Sequence, residues 1–401
     1  MAKPHFITSL DIGTSSIKAL VVQQNPNSEL ENIAFFQKPV SGIRRGIVIN
    51  VQEVTRALED VQEEIEIQTG QKINSVYINI GGSHIFCTSS EGKVAVSRAD
   101  KQVSEEDIDR VLEDAKTFSL SPNKEILGVF PRNFIVDGEK VKEAVGMKGV
   151  RLEVEALVVC VFSPYFKNLQ QSILNSGFQT TNDIIPSPIA AARAVLSPRQ
   201  KELGVALLDI GEGTSSLAVF EEGSVIHLAV LPVGSANITH DIAIGLRTDI
   251  DIAERIKKEF GSCLISKKEK REKIEIKEPE PLVFTRKILN NIIEARVSQI
   301  FEEMNKELKK ISKDSLLPAG IVLTGGGAKL PGIVRLAKRE LRLPCKIGRP
   351  HGFVGLDKDP GLATVCGLTL MGLDLEGAES SPSMVGEAVS RVKNFFKSLI
   401  P

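Results

Sequence analysis

Three short stretches hold residue types that could grip a phosphate chain. Leu10 to Val22 reads LDIGTSSIKALVV: an apolar run ends at Asp11, Gly13 breaks it, and Thr14, Ser15 and Ser16 lead to Lys18 and a second apolar run. Two β-rich runs joined by a few small residues predict a hairpin. A glycine and hydroxyls at its bend leave backbone N–H groups uncovered and add side-chain donors, which a polyphosphate needs. Lys18 offers a compact positive charge, and Asp11 a carboxylate of the kind that holds hydrated Mg2+. Alone, the stretch is equally compatible with an ordinary N-terminal hairpin. Leu207 to Phe220, LLDIGEGTSSLAVF, repeats the pattern with Asp209, Gly211, Gly213 and Thr214. Two such hairpins predict a duplicated core that clamps a nucleotide between its halves. A third turn, LTGGGAKLPG, carries Gly325, Gly326 and Gly327, where backbone can approach a ligand closely.

The elements that must position these turns follow from composition and periodicity. The chain has 401 residues, 42% of them hydrophobic, more than one compact core accommodates, so at least two domains are expected. A net charge of −1 argues against nucleic acid held by bulk positive charge. Five scattered cysteines without a C-x-x-C pair read as inert thiols in a reducing cytoplasm. MAKPHFITSLDIG enters the first strand without a signal-peptide pattern, and no apolar run is long enough to span a bilayer. Val51, Val54, Leu58, Val61 and Ile65 predict a helix from a cap at Asn50 to about Gln68. SEEDIDRVLEDAKTFSL opens with a capping box, Ser104 to Asp107. EILGVFPRNFIVDG and VRLEVEALVVCVF read as strands, and SPYFKNLQQSILNSGF as a helix closed by Gly177. Gly234 marks a turn, and Ile288, Ile292, Ile293, Val297, Ile300, Phe301 and Leu308 share a face of a long helix.

The order, spacing and content of the three turns resemble the ATPase superfamily of actin, heat-shock chaperones and sugar kinases. GIRRGIVIN, and a β-α-β-β insertion at 83–162, are similar to the division protein FtsA and its pilus relative PilM. The resemblance implies an α/β, actin-like ATPase fold: two duplicated α/β domains around a nucleotide cleft, with a small α+β subdomain inserted. It implies first-core pieces at 1–82 and 163–203 and second-core pieces at 204–245 and 319–356. An accessory, partner-binding part at 246–318, a return helix at 357–372, a linker at 373–383 and a membrane helix at 384–401 complete the expected division.

The same resemblance implies ATP and Mg2+, with Asp11 and Asp209 holding the metal through water. Gly13, Thr14, Ser15, Lys18, Gly211, Gly213 and Thr214 are then expected on the phosphates, with Gly234 among the cofactor-binding residues and Gly325 to Gly327 approaching the adenosine. Glu254 and Lys257 sit three apart on one helix face, the ordinary signature of a surface ion pair; in the family such an AE-x-x-K pair contacts the nucleoside. Before Pro188 stands Ser187, where relatives place an acidic or amide residue that orients the attacking water. A hydroxyl is no general base unaided, so slow or negligible hydrolysis is expected. Arg286 and Arg296 resemble the helix that docks the C-terminal tail of the tubulin-like FtsZ, though two arginines on a helix are as readily structural.

After the linker, Val385, Val389, Val392, Phe395, Phe396, Leu399 and Ile400 form one helical stripe, with Arg391, Lys393 and Lys397 largely on the other face. This is the pattern of a helix lying in an anionic membrane interface; packing on its own protein is the competing reading. Together these features predict an FtsA-like protein that polymerises with itself. It would tether the FtsZ ring to the cytoplasmic face of the membrane at the division site and meet other divisome proteins through the insertion. A PilM-like pilus adaptor and a sugar or acetate kinase are the alternatives. A kinase needs a phosphoacceptor site for which no motif is seen, and a chaperone-type ATPase needs a peptide-binding domain beyond the core.

Overall fold

The computed structural model describes residues 6–25, 29–264, 272–276 and 281–379. The first domain begins as a meander: β1 (Phe6–Ile12), β2 (Ser16–Gln24) and β3 (Leu30–Pro39) pair antiparallel, with Asp11 opposite Lys18. A short ribbon of β4 (Ile43–Arg44) and β5 (Ile47–Val48) leads to α1 (Val51–Thr69). Asn50 caps α1 by accepting from the N–H groups of Gln52 and Glu53, and Gly70 ends it in the left-handed region. Val54, Leu58, Val61 and Ile65 bury one face of α1, as their spacing predicts. β6 (Ser75–Ile80) then runs parallel to β1.

The insertion has a core of its own. β7 (Ile85–Ala95), α2 (Glu105–Asp114), β8 (Lys124–Val136), β9 (Glu139–Val141) and β10 (Arg151–Phe162) give a sheet in the order β7-β10-β8-β9. α2 opens with the expected Ser104–Asp107 box, and Val111, Leu152, Val154 and Val158 fill the interior beneath it. The chain returns through α3 (Ser163–Asn175) to β11 (Gln179–Pro186), parallel to β6, and then α4 (Ser187–Val195) and α5 (Pro198–Leu203).

The second domain repeats the first. β12 (Val205–Ile210), β13 (Ser215–Glu221) and β14 (Ser224–Leu231) form the meander. After α6 (Ser235–Leu246), α7 (Ile250–Phe260), the pair β15 (Lys273–Ile276) and β16 (Leu282–Thr285), and α8 (Arg286–Lys310), the chain adds β17 (Ile321–Thr324) parallel to β12. α9 (Ile333–Leu341) and β18 (Cys345–Ile347) follow, with β18 parallel to β17. Strand order is β11-β6-β1-β2-β3 in one domain and β18-β17-β12-β13-β14 in the other, the same order with the same mix of directions. That identity is the structural form of the duplicated hairpin motif.

Two helices join the domains. α4 follows the first sheet, and α10 (Ala363–Glu379) returns from the second. They cross in backbone contact: a Cβ on Gly367 would lie 1.7 Å from the Ala190 carbonyl oxygen, so only glycine fits. Ser9 Oγ donates to the Val365 carbonyl at 3.1 Å, and Arg193 pairs with Asp374 at 2.9 Å.

The chain departs from the expected division in three places and from the expected stripe of α8 in one. β19 (Phe353–Val354) pairs with β3, so residues counted with the second core extend the first domain's sheet. The return helix starts at Ala363, after a 3-10 turn at Pro360–Leu362, and continues to Glu379, through much of the expected linker. α6 packs on α7 and α8, so Ser235–Leu246, all but its last residue counted with the second core, joins the helical layer of the accessory part expected to begin at 246. α8 meets both α6 and α9, and its buried stripe therefore runs Leu289, Ile293, Val297, Phe301, Met304 and Leu308, leaving Ile288 exposed. The expected membrane helix, with Arg391, Val392, Lys393, Phe395, Phe396, Lys397 and Leu399, lies outside the described residues. Among those that are described, no helix is long and apolar enough to cross a membrane.

Candidate functional site

The two hairpin bends use one local chemistry. The Gly13 N–H donates to the Ser16 carbonyl at 3.1 Å, and the Gly211 N–H to the Thr214 carbonyl at 2.9 Å. Each closes a tight bend at the end of the strand that delivers an aspartate. The bends face each other across the interdomain cleft, close enough that a Cβ on Gly213 would lie 2.8 Å from Thr14 Oγ1. Beneath them is a cavity of about 110 Å³, lined by Asp11, Lys18, Asn79, Asp209, Gly326 and Thr364 among others. It shares Ser15, Lys18, Gly211, Gly326 and Gly361 with a larger cavity of about 750 Å³ toward α6 and α7. A small polar chamber opening into a larger one suits a phosphate chain with its nucleoside.

The first aspartate is held from two sides. Lys18 Nζ lies 2.8 Å from Asp11 Oδ2, and Asn79 Nδ2 donates to Asp11 Oδ1 at 2.9 Å. Burial works against the Lys18 charge, but the Asp11 charge and hydrogen bond outweigh it and leave the ammonium harder to deprotonate than usual. Asn79 also accepts the Ile12 N–H at 2.7 Å and donates to Ser187 Oγ at 2.9 Å. Ser187 in turn donates to the Ile80 carbonyl at 2.9 Å, so its proton is already committed.

Asp209 accepts from Thr364 Oγ1 at 3.0 Å. Burial, then repulsion from Asp11, pushes its carboxyl up to about 6, against the opposing pull of Thr364 and Lys18. Two carboxylates brought this close, with water-sized room beside them, suit a hydrated divalent cation. Among the described residues, no group of three or more His, Cys, Asp or Glu converges for direct ligation, so water would complete the shell.

The glycine turn closes the cleft from the second domain. Gly325 has φ 84° and Gly327 packs on Ile210, whereas Gly326 has nothing within 4 Å of its Cβ position and faces both cavities. Gly234 plays a supporting part. It stands directly behind the second bend, where a Cβ would meet the Glu212 carbonyl at 2.3 Å, and the next two N–H groups bind the Gly211 and Glu212 carbonyls at 2.9 Å. Glu254 and Lys257 line the larger cavity, and they also form an ion pair at 2.6 Å. Lys257 is buried and donates to Thr239 Oγ1 at 2.7 Å, so the pair is part of the cavity wall rather than a solvated face.

Arg286 and Arg296 are not brought to the cleft. Arg286 chelates Glu272 at 2.7 and 2.9 Å, and Arg296 chelates Asp241 at 2.6 and 2.8 Å. Sequence reasoning missed Asn79 and Thr364. The signal for Asn79 was its place at the end of INIGG, a parallel strand running into glycines, where ligands collect at strand C-termini. Thr364, on the returning helix, had no local signal.

Comparison with known proteins bears on family and fold. The family model "Cell division protein FtsA" matches residues 206–367, and "SHS2 domain inserted in FTSA" matches 82–160. Cell division protein FtsA of Pseudomonas aeruginosa is 33% identical over 391 residues, 96% of this chain and 93% of that protein. That of Bacillus subtilis is 36% identical over 364 residues, 90% and 82% of the two chains. Among solved structures, the PilM–PilN type IV pilus biogenesis complex superposes with a TM-score of 0.64 at 17% identity, covering 92% of this chain and 98% of that one. MreB5 of Spiroplasma citri bound to ADP gives 0.58 at 15%, covering 94% and 99%. At such identities these structures speak for the actin-like fold alone. With relatives above 30% identity matched over most of their length, the chain belongs to the FtsA family of cell division proteins.

Proposed function

We propose that the chain binds Mg-ATP in the interdomain cleft, self-associates when closed around it, and tethers the FtsZ ring to the cytoplasmic face of the membrane at the division site. The observation that carries the nucleotide reading is the convergence of the duplicated bends, Gly213 against Thr14, over one cavity that both Asp11 and Asp209 line. MreB5, which shares the fold, was solved with ADP and with AMPPNP. In this reading the bend amides and hydroxyls take the phosphates, Asp11 and Asp209 orient the metal's water shell, and Gly326 leaves room for the nucleoside. A bound Mg2+ supplies charge neutralisation for the phosphates. Ser187, with its proton spent on Ile80, activates no water, so turnover is slow and ATP serves as a clamp on domain closure.

The membrane reading rests on the apolar stripe and the three cations of 384–401. Each cation near an anionic surface contributes about 1 kcal/mol, so one copy binds weakly and a filament of copies firmly. Arg286 and Arg296 would receive an acidic FtsZ tail only by exchanging Glu272 and Asp241 for its carboxylates. The inserted subdomain is the surface offered to other divisome proteins. A PilM-like role has only fold similarity behind it, while the sequence relatives above 30% identity carry the cell division name.

Calorimetry with Mg-ATP tests the clamp, and binding unchanged by Asp209→Ala together with Gly326→Asp would refute it. Turnover of about 10 per second or more would refute the slow-hydrolysis reading. Vesicle co-sedimentation of the full chain, a truncation after Ser383 and Phe396→Glu tests the tether. Equal sedimentation of all three would refute that part.

A further inference from the structure

The GIRRG ribbon lies against the cleft, and none of the residues assigned above explains it. β4 and β5 are joined by Arg45 and Gly46, both in the left-handed region, with φ 50° and 71°. A two-residue turn of this kind normally takes Asn-Gly, because a longer side chain there crowds its own carbonyl. Strain of this sort persists where the surroundings over-determine the backbone. Here they do. The Gly46 N–H donates to Thr14 Oγ1 at 3.0 Å, and a Cβ on Gly46 would lie 2.7 Å from the Gly82 nitrogen. On the other side, a Cβ on Gly213 would come within 3.2 Å of the Arg45 Cα. The ribbon tip is therefore wedged between the first bend and the second, with Gly46 lining the phosphate cavity.

Charge supplies the second, independent observation. The side chains lining that cavity include three carboxylates, Asp11, Asp209 and Glu212, but only one cation, Lys18, which Asp11 already holds. A triphosphate entering with one Mg2+ leaves this chamber strongly negative. Arg45, next to the lining residue Gly46, is exposed and has no hydrogen-bond or ion-pair partner among the described residues.

Resting on the Mg-ATP reading and extending it, we infer that Arg45 is a ligand of the nucleotide's terminal phosphate. When ATP occupies the cleft, the guanidinium folds over the Thr14–Gly213 contact and pairs two of its N–H groups with γ-phosphate oxygens. ADP ends short of that position, so Arg45 makes the closed cleft read ATP against ADP.

The test is calorimetry of the full chain with Mg-ATP and with Mg-ADP, for the parent, Arg45→Gln, Arg45→Gly and Arg44→Gln. Arg44 is the exposed neighbour on β4 and controls for loss of one positive charge. The expected result is an ATP dissociation constant raised about tenfold or more by either Arg45 change, the worth of a hydrogen bond to a charged group, with ADP changed less than about threefold. Arg44→Gln leaves both ligands nearly unaffected. Arg45→Gly also melts no lower than the parent, since glycine suits φ 50°, a result that a merely structural arginine would not give. Equal losses for ATP and ADP, no loss, or an equal effect of Arg44→Gln would each overturn the role of Arg45. Failure of the parent to bind either nucleotide overturns the Mg-ATP reading itself, so the two failures are distinguishable.

Discussion

Three consecutive glycines, Gly325 to Gly327, have three different reasons to lack a side chain, and alanine at each should report a different one. At Gly325 an alanine meets both a left-handed φ of 84° and a Cβ 2.2 Å from Asp209 Oδ1 and 2.6 Å from the Ile210 carbonyl. The conformation alone costs about 1–2 kcal/mol, and the overlap forces the turn away from β12 for a further 1–3. At Gly327 the backbone is unstrained, but the Cβ would sit 2.4 Å from Ile210 Cγ2, an overpacking worth about 1–3 kcal/mol. At Gly326 nothing lies within 4 Å and φ is not positive, so Gly326→Ala should hold stability to within about 0.5 kcal/mol. Its methyl instead projects into the space assigned to the nucleoside, and Mg-ATP affinity should fall while the fold does not. Gly325→Ala should lose stability and affinity together, because it displaces Asp209. Urea denaturation followed with and without Mg-ATP separates the three. If Gly326→Ala destabilises the apo protein as much as Gly325→Ala, or leaves ATP affinity untouched, the assignment of the turn is wrong.

Other expectations follow from single groups. The Asp209 carboxyl titrates near 6 when folded against 3.8 normally, so its protonated form stabilises the fold fully below about pH 4, and that contribution is lost as pH rises through 6. Asp209→Asn should therefore match the parent in apo stability near pH 4 and exceed it at pH 8 by up to about 3 kcal/mol, with Mg-ATP reversing the order; thermal melts across pH check this. Asn79→Ala strands the Ile12 N–H and removes both of its own donations, and should cost about 2–3 kcal/mol in chemical denaturation. His227 sits between Cys87 Sγ, 3.6 Å from Nδ1, and Glu307, 3.0 Å from Nε2, tying the insertion's β7 to α8 of the second domain. Because Glu307 keeps Lys310 and Cys87 keeps the Leu228 carbonyl, His227→Ala should cost only about 1 kcal/mol, yet raise hydrogen exchange first along β7 and β14.

What could be read from the chain alone was local. Both aspartate bends, the Asn50 cap, the Ser104–Asp107 box and the buried face of α1 depend on residues within a few positions of one another, where turn chemistry and periodicity act directly. The repeat of the bend, and its resemblance to actin-like ATPases, then supplied the duplicated architecture. Other features depended on partners far along the chain. Asn79 joins Asp11 to Ser187 across 68 and 108 residues, Thr364 reaches Asp209 across 155, and β19 completes an edge begun at β3. For Arg286 and Arg296 the sequence left tail docking and a structural role both open, and only folding set Glu272 and Asp241 against them. Nothing in DIG distinguishes Asp11 from Asp209. The Asp209 carboxyl is pushed up by burial and then by the approach of Asp11, and both arise only when the two domains close on a common cleft, because desolvation and charge repulsion depend on distance in space and not along the chain.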